Sequence, residues 1–268
     1  MDKRIALVTG GSSGIGKSLC LKLAGEGYQV FSASRSNTLP DDMAAITQIS
    51  VDFSISGASS AFAQTFINQY GVPDLLVNNA GYGAFYEWAE FPESEITKQI
   101  EVLFSAPVRL CRVFAPAMQK KGRGVILNLS SLVTLYPLPY MPLYNAGKSA
   151  LSSFTESMML EYSDSPKFID FRMGDVRTDF NRSASKTRDT QGSAKNAWAQ
   201  IEKQLNESIT VETAVYQILS RVKKEKSGTF HGGSFFHRAF LPMVQCFLLP
   251  SQIRRLIRFW YSLTDHRN

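Results

Sequence analysis

Only three of the 268 residues are cysteine. Cys20, Cys111 and Cys246 are too far apart to suggest a disulfide framework or a metal-ligand cluster, and they read as reduced thiols of a cytoplasmic protein. Histidine is as scarce, and His231, His237 and His266 match no zinc spacing, so no metal is expected. Long apolar runs are missing too. The longest, AFLPMVQCFLLP at 239–250, is too short and too interrupted by proline to span a bilayer. Hydrophobic sequence starts at residue 4, which leaves no room for a charged n-region and an apolar h-region, so a secretory leader is not expected. No nucleic-acid motif occurs, and the net charge of +6 is not gathered into one block. An anionic membrane or a phosphorylated ligand remains compatible with that charge.

Hydrophobic residues make up 44% of the chain, enough for a sizeable core. Short apolar runs at 4–10, 28–34, 46–53, 74–81, 124–131 and 167–174 read as strands buried on both faces. Between them, 14–26, 57–70, 92–120 and 144–162 carry apolar residues at helical spacing, as at Ile15, Leu19 and Leu23. This alternation predicts a doubly wound α/β fold, a parallel sheet of about seven strands with helices on both faces. Without repeats or a clear linker, one domain is expected over 1–236, followed by a helical extension over 237–268. Residues 178–206 break the pattern. Their first part is polar, rich in Ser, Lys and Arg, with a lone Trp198, which suits either a surface excursion or a substrate lid.

TGGSSGIG at 9–16 falls where the first strand meets the first helix. Gly10, Gly14 and Gly16 allow a tight turn, close approach to a pyrophosphate and close helix–strand packing. The helix start adds free N–H donors and the positive dipole end, so Ser12, Ser13 and Ile15 would border the same phosphates. The second strand ends in Ser34-Arg35 rather than a carboxylate. A carboxylate would repel a ribose 2′-phosphate, whereas a guanidinium can grip it, which favours NADP(H) and leaves NAD(H) as the alternative. Arg35 could also be an ordinary surface arginine. Asp52, after the third strand, could accept from the adenine amino group or cap the next helix.

YMPLYNAGK at 140–148 spaces Tyr140, Tyr144 and Lys148 by four. Pro139 and Pro142 flank Tyr140 and favour a loop there, which leaves Tyr144 and Lys148 on one helical face. A phenol titrates near ~10, too high for a base at neutral pH. A neighbouring ammonium, and the positive ring of an oxidised nicotinamide, would lower it.

Together TGGSSGIG, NNAG at 78–81, NLSS at 128–131 and YNAGK at 144–148 give the chain a strong likeness. It resembles the short-chain dehydrogenases/reductases from about residue 4 to the 230s. The resemblance implies a Rossmann-type fold and an oxidoreductase that moves hydride between NAD(P) and a carbonyl or alcohol. It implies that Asn79, Ala80 and Gly81 lie beside the cofactor, with Gly174, Val176 and Thr178 along the nicotinamide. It assigns Ser131 to the substrate oxygen, Tyr144 to proton transfer and Lys148 to the nicotinamide ribose. Homodimers or homotetramers through the fourth and fifth helices are a further implication.

Three positions depart from the family pattern. Leu103 stands where most members have a helix asparagine that positions a relay water, and no asparagine occurs from 80 to 127. Ala106 replaces a usual glycine, and Met173 replaces the proline that opens the loop MGDVRT. Leu103 keeps a second reading open, a dinucleotide-binding protein with weak or lost catalysis. An NAD-dependent alcohol dehydrogenase is a third reading.

GYGAFYEWAEF at 81–91 and LVTLYPLPYMP at 132–142 are apolar and aromatic, and suit a lipophilic carbonyl or alcohol of steroid, retinoid or long-chain ketone type. They suit packing or subunit contacts equally. In SQIRRLIRFWYSL at 251–263, arginines interleave with apolar residues. Such a helix could lie in an anionic membrane interface, dock on a partner subunit, or fold back on its own domain.

Overall fold

The structure is a computed structural model that describes residues 3–36, 38–39, 44–178, 185–186 and 191–263. Strands β1 (Ile5–Thr9), β2 (Gln29–Ser34), β3 (Ile46–Ser50), β4 (Leu75–Asn78), β6 (Val125–Ser131), β7 (Lys167–Met173) and β9 (Gly228–Gly232) form one parallel sheet. Their order is β3-β2-β1-β4-β6-β7-β9. Two short strands, β5 (Ala84–Phe85) and β8 (Ser185–Lys186), pair separately.

The helices are α1 (Gly14–Gly25), α2 (Ala58–Tyr70), α3 (Glu93–Ile100), α4 (Ala106–Lys121), α5 (Pro142–Glu161), α6 (Gly192–Asn206), α7 (Val211–Val222), α8 (Leu241–Gln245) and α9 (Pro250–Trp260). Side chains alternate across the sheet with a period of two, so each strand feeds two cores. Ala6 and Val8 join Leu19 and Leu23 of α1 and Val215 and Ile218 of α7 on one face. Leu7 joins Phe66 of α2 and Leu110, Phe114 and Met118 of α4 on the other. Phe66 lies edge-on to both Phe31 and Phe114, centroids 4.9 and 5.8 Å apart, which locks α2 and α4 against β2.

The helix expected over 92–120 is not uniform. It divides into α3, a π-helical turn over Glu101–Ser105, and α4, where Ala106 N–H donates to Glu101 C=O. Pro107 follows at once and has no N–H to offer the preceding turn, so the regular ladder cannot continue through it. The catalytic-motif helix starts two residues earlier than its periodicity suggested, with Pro142 in its first turn. Tyr140 lies outside it at φ +60°.

Within the segment 178–206, residues 179–184 and 187–190 lie outside the described residues, and 192–206 form α6. Trp198 turns inward from α6, 4.9 Å from Phe85, and Lys186 Nζ lies 4.2 Å above the indole. Helix α9 lays Ile257 on the same cluster, beside Tyr261, Met141 and Phe85.

Candidate active site

Strand β1 has β2 on one side and β4 on the other, so the chain reverses direction across the sheet there. The carboxyl ends of β1 and β4 therefore diverge into a crevice, where doubly wound sheets take ligands. Thr9 ties the two strand ends together. Its hydroxyl accepts from the N–H groups of Asn79 and Ala80, both at 3.0 Å, and Asn79 Nδ2 donates to Thr9 C=O at 2.9 Å. The turn that follows needs glycine. Gly10 has φ +68°, and a Cβ there would lie 2.8 Å from Ala80 Cα; a Cβ on Gly16 would lie 2.2 Å from Gly10 C=O.

Helix α1 starts at this turn. Its N-cap Ser13 makes no side-chain capping bond, so the N–H groups of its first turn are left for another acceptor. Thr178 packs beside Gly14, its Cγ2 3.6 Å from where a Cβ would stand. These donors, the aligned helix dipole and the Arg35 guanidinium at the end of β2 match a phosphorylated dinucleotide in charge and geometry. Ser34 is buried and donates to Ser36 C=O at 2.9 Å, while Arg35 is exposed at the cleft.

Asp52 does not cap α2, whose N-cap is Gly57. Its Oδ1 accepts instead from Ser54 N–H and Ser54 Oγ, at 2.9 and 2.8 Å, closing a local turn. Burial works to raise this carboxyl, but the two Ser54 bonds, with Arg35 and Lys98 nearby, hold it below the usual range.

The cleft has a volume of about 1210 Å³. Every residue assigned from the sequence to the cofactor or to catalysis borders it: Gly10, Ser12–Gly16, Ser34, Arg35, Asp52, Asn79–Gly81, Ser131, Tyr144, Lys148, Gly174, Val176 and Thr178. Strand β6 delivers Ser131 at its end and α5 delivers Tyr144 and Lys148 one turn apart. The same face of α5 is pinned to the sheet. Ser152 Oγ donates to buried Asp170 at 2.7 Å, and Asn128 Nδ2 donates to Thr155 Oγ1 at 2.8 Å. Asp170 also accepts from Ser130 Oγ and from Arg172 Nε, the latter at 2.9 Å.

Ser131 and the Tyr144 hydroxyl are hydrogen-bonded, and Ser131 Oγ also accepts from Val133 N–H at 3.3 Å. The expected lowering of the Tyr144 phenol is not found. Burial pushes it up to about 12 and Asp175 adds to the rise, against the hydrogen bond from Ser131. The reason is where Lys148 points: its Nζ donates to Leu129 C=O at 2.6 Å. Burial in turn brings the ammonium down to about 8, with Asp170 opposing.

Leu103 is fully buried in the π turn. A Cβ on Gly147 would meet Leu103 Cβ at 2.8 Å, and one on Gly81 would meet Leu103 Cδ2 at 3.1 Å and Lys148 Nζ at 3.6 Å. The leucine thus fills the space behind the lysine and contributes to its burial.

The sequence reading placed the mouth in part, at Tyr136, Leu138 and Met141 of 132–142, and missed Asp175, His237 and the aromatic residues beyond β9. Asp175 sits in the loop MGDVRT, and its Oδ2 lies 3.7 Å from His237 Nε2 at the cleft. A carboxylate inside that loop was the available signal. The outer cleft is bordered by Tyr136, Leu138 and Met141 before and at the start of α5, Ile201 and Leu205 of α6, and Phe236 and Phe240 beyond β9.

A family model described as short chain dehydrogenase matches residues 4–189. The chain belongs to the short-chain dehydrogenase family. Among curated relatives, the 3-ketodihydrosphingosine reductase of Bacteroides thetaiotaomicron is 32% identical over 161 residues, 60% of this chain and 59% of that protein. The chain thus spans about three fifths of that relative's length. A short-chain dehydrogenase structure from Streptomyces avermitilis superposes with a TM-score of 0.80 at 22% identity, covering 100% of this chain and 99% of that one. One from Sphingobium yanoikuyae, in complex with NADPH, superposes at 0.73 with 19% identity, over 99% and 98% of the two chains. At those identities the likeness is one of fold. This short-chain dehydrogenase family member has its motif residues gathered around a single cleft.

Proposed function

We propose that the protein is an NADP(H)-dependent oxidoreductase that moves hydride between nicotinamide and the carbonyl or secondary alcohol of a lipophilic substrate. The supporting observation is continuity. One cleft runs from the glycine turn and Arg35, past Ser131, Tyr144 and Lys148, into an apolar vestibule. When bound, the dinucleotide supplies or takes the hydride. The first turn of α1 and Gly10–Gly16 hold its pyrophosphate, Arg35 its 2′-phosphate, and Asp52 its adenine edge. Asn79, Ala80 and Gly81 back its middle, while Gly174, Val176 and Thr178 flank its nicotinamide end. The Sphingobium structure, in complex with NADPH, has the same fold.

In reduction, Tyr144 Oη donates a proton to the substrate oxygen while Ser131 Oγ fixes that oxygen by a hydrogen bond. A phenol raised to about 12 by burial is protonated at neutral pH and so carries the proton to be donated, while the rise makes it a weaker acid than a free tyrosine. Lys148 holds the nicotinamide ribose, and turning its ammonium from Leu129 C=O toward the cleft would ease proton release from Tyr144 in the reverse direction. The apolar lining by Leu138, Met141, Ile201 and Leu205 favours a hydrophobic substrate body, and the sphingoid-base relative is a reductase of such a molecule by name. Peripheral membrane contact through 251–263, a cytoplasmic location and assembly through α4 and α5 belong to the same reading.

A dinucleotide-binding protein with little chemistry is the second reading, and Leu103 is the observation that favours it. The two separate on turnover. The first reading expects NADPH-dependent reduction across a panel of hydrophobic ketones and aldehydes, abolished in Tyr144→Phe and retained in Tyr140→Phe. Background rates across the panel, with NADPH bound normally, would favour the second.

A further inference from the structure

The C-terminal segment is anchored on one side and leaves several large apolar side chains exposed on the other. Ile253 and Tyr261 are buried and Ile257 packs on the α6 cluster. Around them Phe259 is 83% exposed, Phe247 80% and Trp260 56%, with Phe236, Phe240 and Leu256 about half exposed. A soluble surface rarely leaves so many large apolar groups together without an occupant. Five of these six stand at one place in the molecule. Phe236, Phe240, Leu256, Phe259 and Trp260 all border the outer end of the cleft.

Charge selects the occupant. Residues 236–263 contain Arg238, Arg254, Arg255 and Arg258 and no carboxylate. A second copy would bring the same four arginines against this face in a two-fold contact, so self-association here is opposed. An apolar rim edged with arginine suits the boundary between acyl chains and acidic headgroups. No helix among the described residues is long and apolar enough to cross a membrane, so the contact is one of seating on the surface.

We propose that this rim is a seat for an anionic lipid leaflet, so that the mouth of the cleft opens into the membrane rather than into water. The seat is wider than α9, because it includes the π-helical turn over Phe236–Phe240 and the stretch through Phe247. The proposal deepens the lipophilic-substrate reading and rests on it for what the cleft takes up. An amphiphilic carbonyl compound would pass sideways from the leaflet, leading with its carbonyl toward Tyr144.

The test is co-sedimentation of the full chain with vesicles of phosphatidylcholine alone and of phosphatidylcholine with phosphatidylserine. The wild type should bind the acidic vesicles and shift its Trp260 fluorescence to the blue, a shift that Trp260→Phe removes. Arg254→Glu with Arg255→Glu should weaken binding by on the order of 30-fold or more, from two lost contacts of ~1 kcal/mol each. That variant should still reduce a small water-soluble ketone at the wild-type rate. Phe247→Ser, which lies outside the cleft, should weaken binding without altering soluble turnover. Equal binding of wild type and the double variant, or a dimer in light scattering that Phe259→Asp splits while vesicles are ignored, would overturn the seat. A chain that binds acidic vesicles but reduces no carbonyl would support the seat and refute the reductase reading alone.

Discussion

Replacing Lys148 with methionine should stabilise the ligand-free chain at neutral pH while removing its activity. The lysine is almost fully buried, and burial brings its ammonium from 10.5 down to about 8. Each pH decade across that gap is worth ~1.36 kcal/mol, so the desolvation cost is at most about 3 kcal/mol. The sign is fixed by which state holds the proton. Below pH 8 both states are protonated and the native chain bears the full cost. From pH 8 to 10.5 the native lysine has released its proton while the unfolded one keeps it, so stability rises with pH. Above 10.5 the cost is gone. Methionine also gives up the hydrogen bond to Leu129 C=O, a term of about 1 kcal/mol that varies little with pH. Urea unfolding of both proteins in steps from pH 7 to 10.5 isolates the charge, because the other titrating groups are common to both. The stability advantage of Lys148→Met should shrink by up to about 3 kcal/mol over that range. A gap that stays constant would refute the claim that burial, and not pairing with Tyr144, sets the state of this lysine.

Other outcomes follow from the same geometry. Arg35→Ala should weaken NADPH binding about tenfold or more and NADH binding hardly at all, by fluorescence titration; equal losses would remove the 2′-phosphate assignment. Leu103→Asn puts an amide among Gly81, Gly147 and the Lys148 stem, and should cost on the order of 2 kcal/mol without raising kcat. A gain in kcat would mean that the relay does lack its asparagine. Asp175→Asn removes a carboxylate that raises the Tyr144 phenol, so in alcohol oxidation the rising limb of the pH–rate profile should move to lower pH. An unmoved limb would place Asp175 outside the electrostatics of the reacting group.

The fold was legible where one physical rule acted alone. Parallel strands buried on both faces must be near-continuously apolar, so runs such as IALVT and VILNLSS announced themselves. The edge strand β9, GTFHG, offers one phenylalanine between glycines and was not picked out. The π turn left no periodic trace, although Pro107 was in plain view. At the site, residue spacing identified Tyr144 and Lys148, and the flanking prolines set Tyr140 apart. The rise of the Tyr144 phenol and the fall of the Lys148 ammonium in the ligand-free chain were not legible, because spacing along a helix does not report burial. Lys148 is turned to Leu129 C=O, and Leu103 packs against Gly147 beside it, both across distant segments of the chain. The amphipathic pattern of 251–263 was likewise visible, whereas its position beside the cleft mouth depends on Trp198 and Tyr261 meeting across sixty-odd residues.

Hydride transfer itself is the most direct test of the central claim. NADPH carrying deuterium at the nicotinamide C4 would be mixed with excess protein and a hydrophobic ketone for a single turnover, and the alcohol analysed by mass spectrometry. Label should appear in the alcohol with the wild type, and its rate of appearance should fall by on the order of 10²–10⁴ in Tyr144→Phe. Unlabelled ketone recovered from protein that has bound NADPH, or label transfer at the same rate without the Tyr144 hydroxyl, would contradict the account.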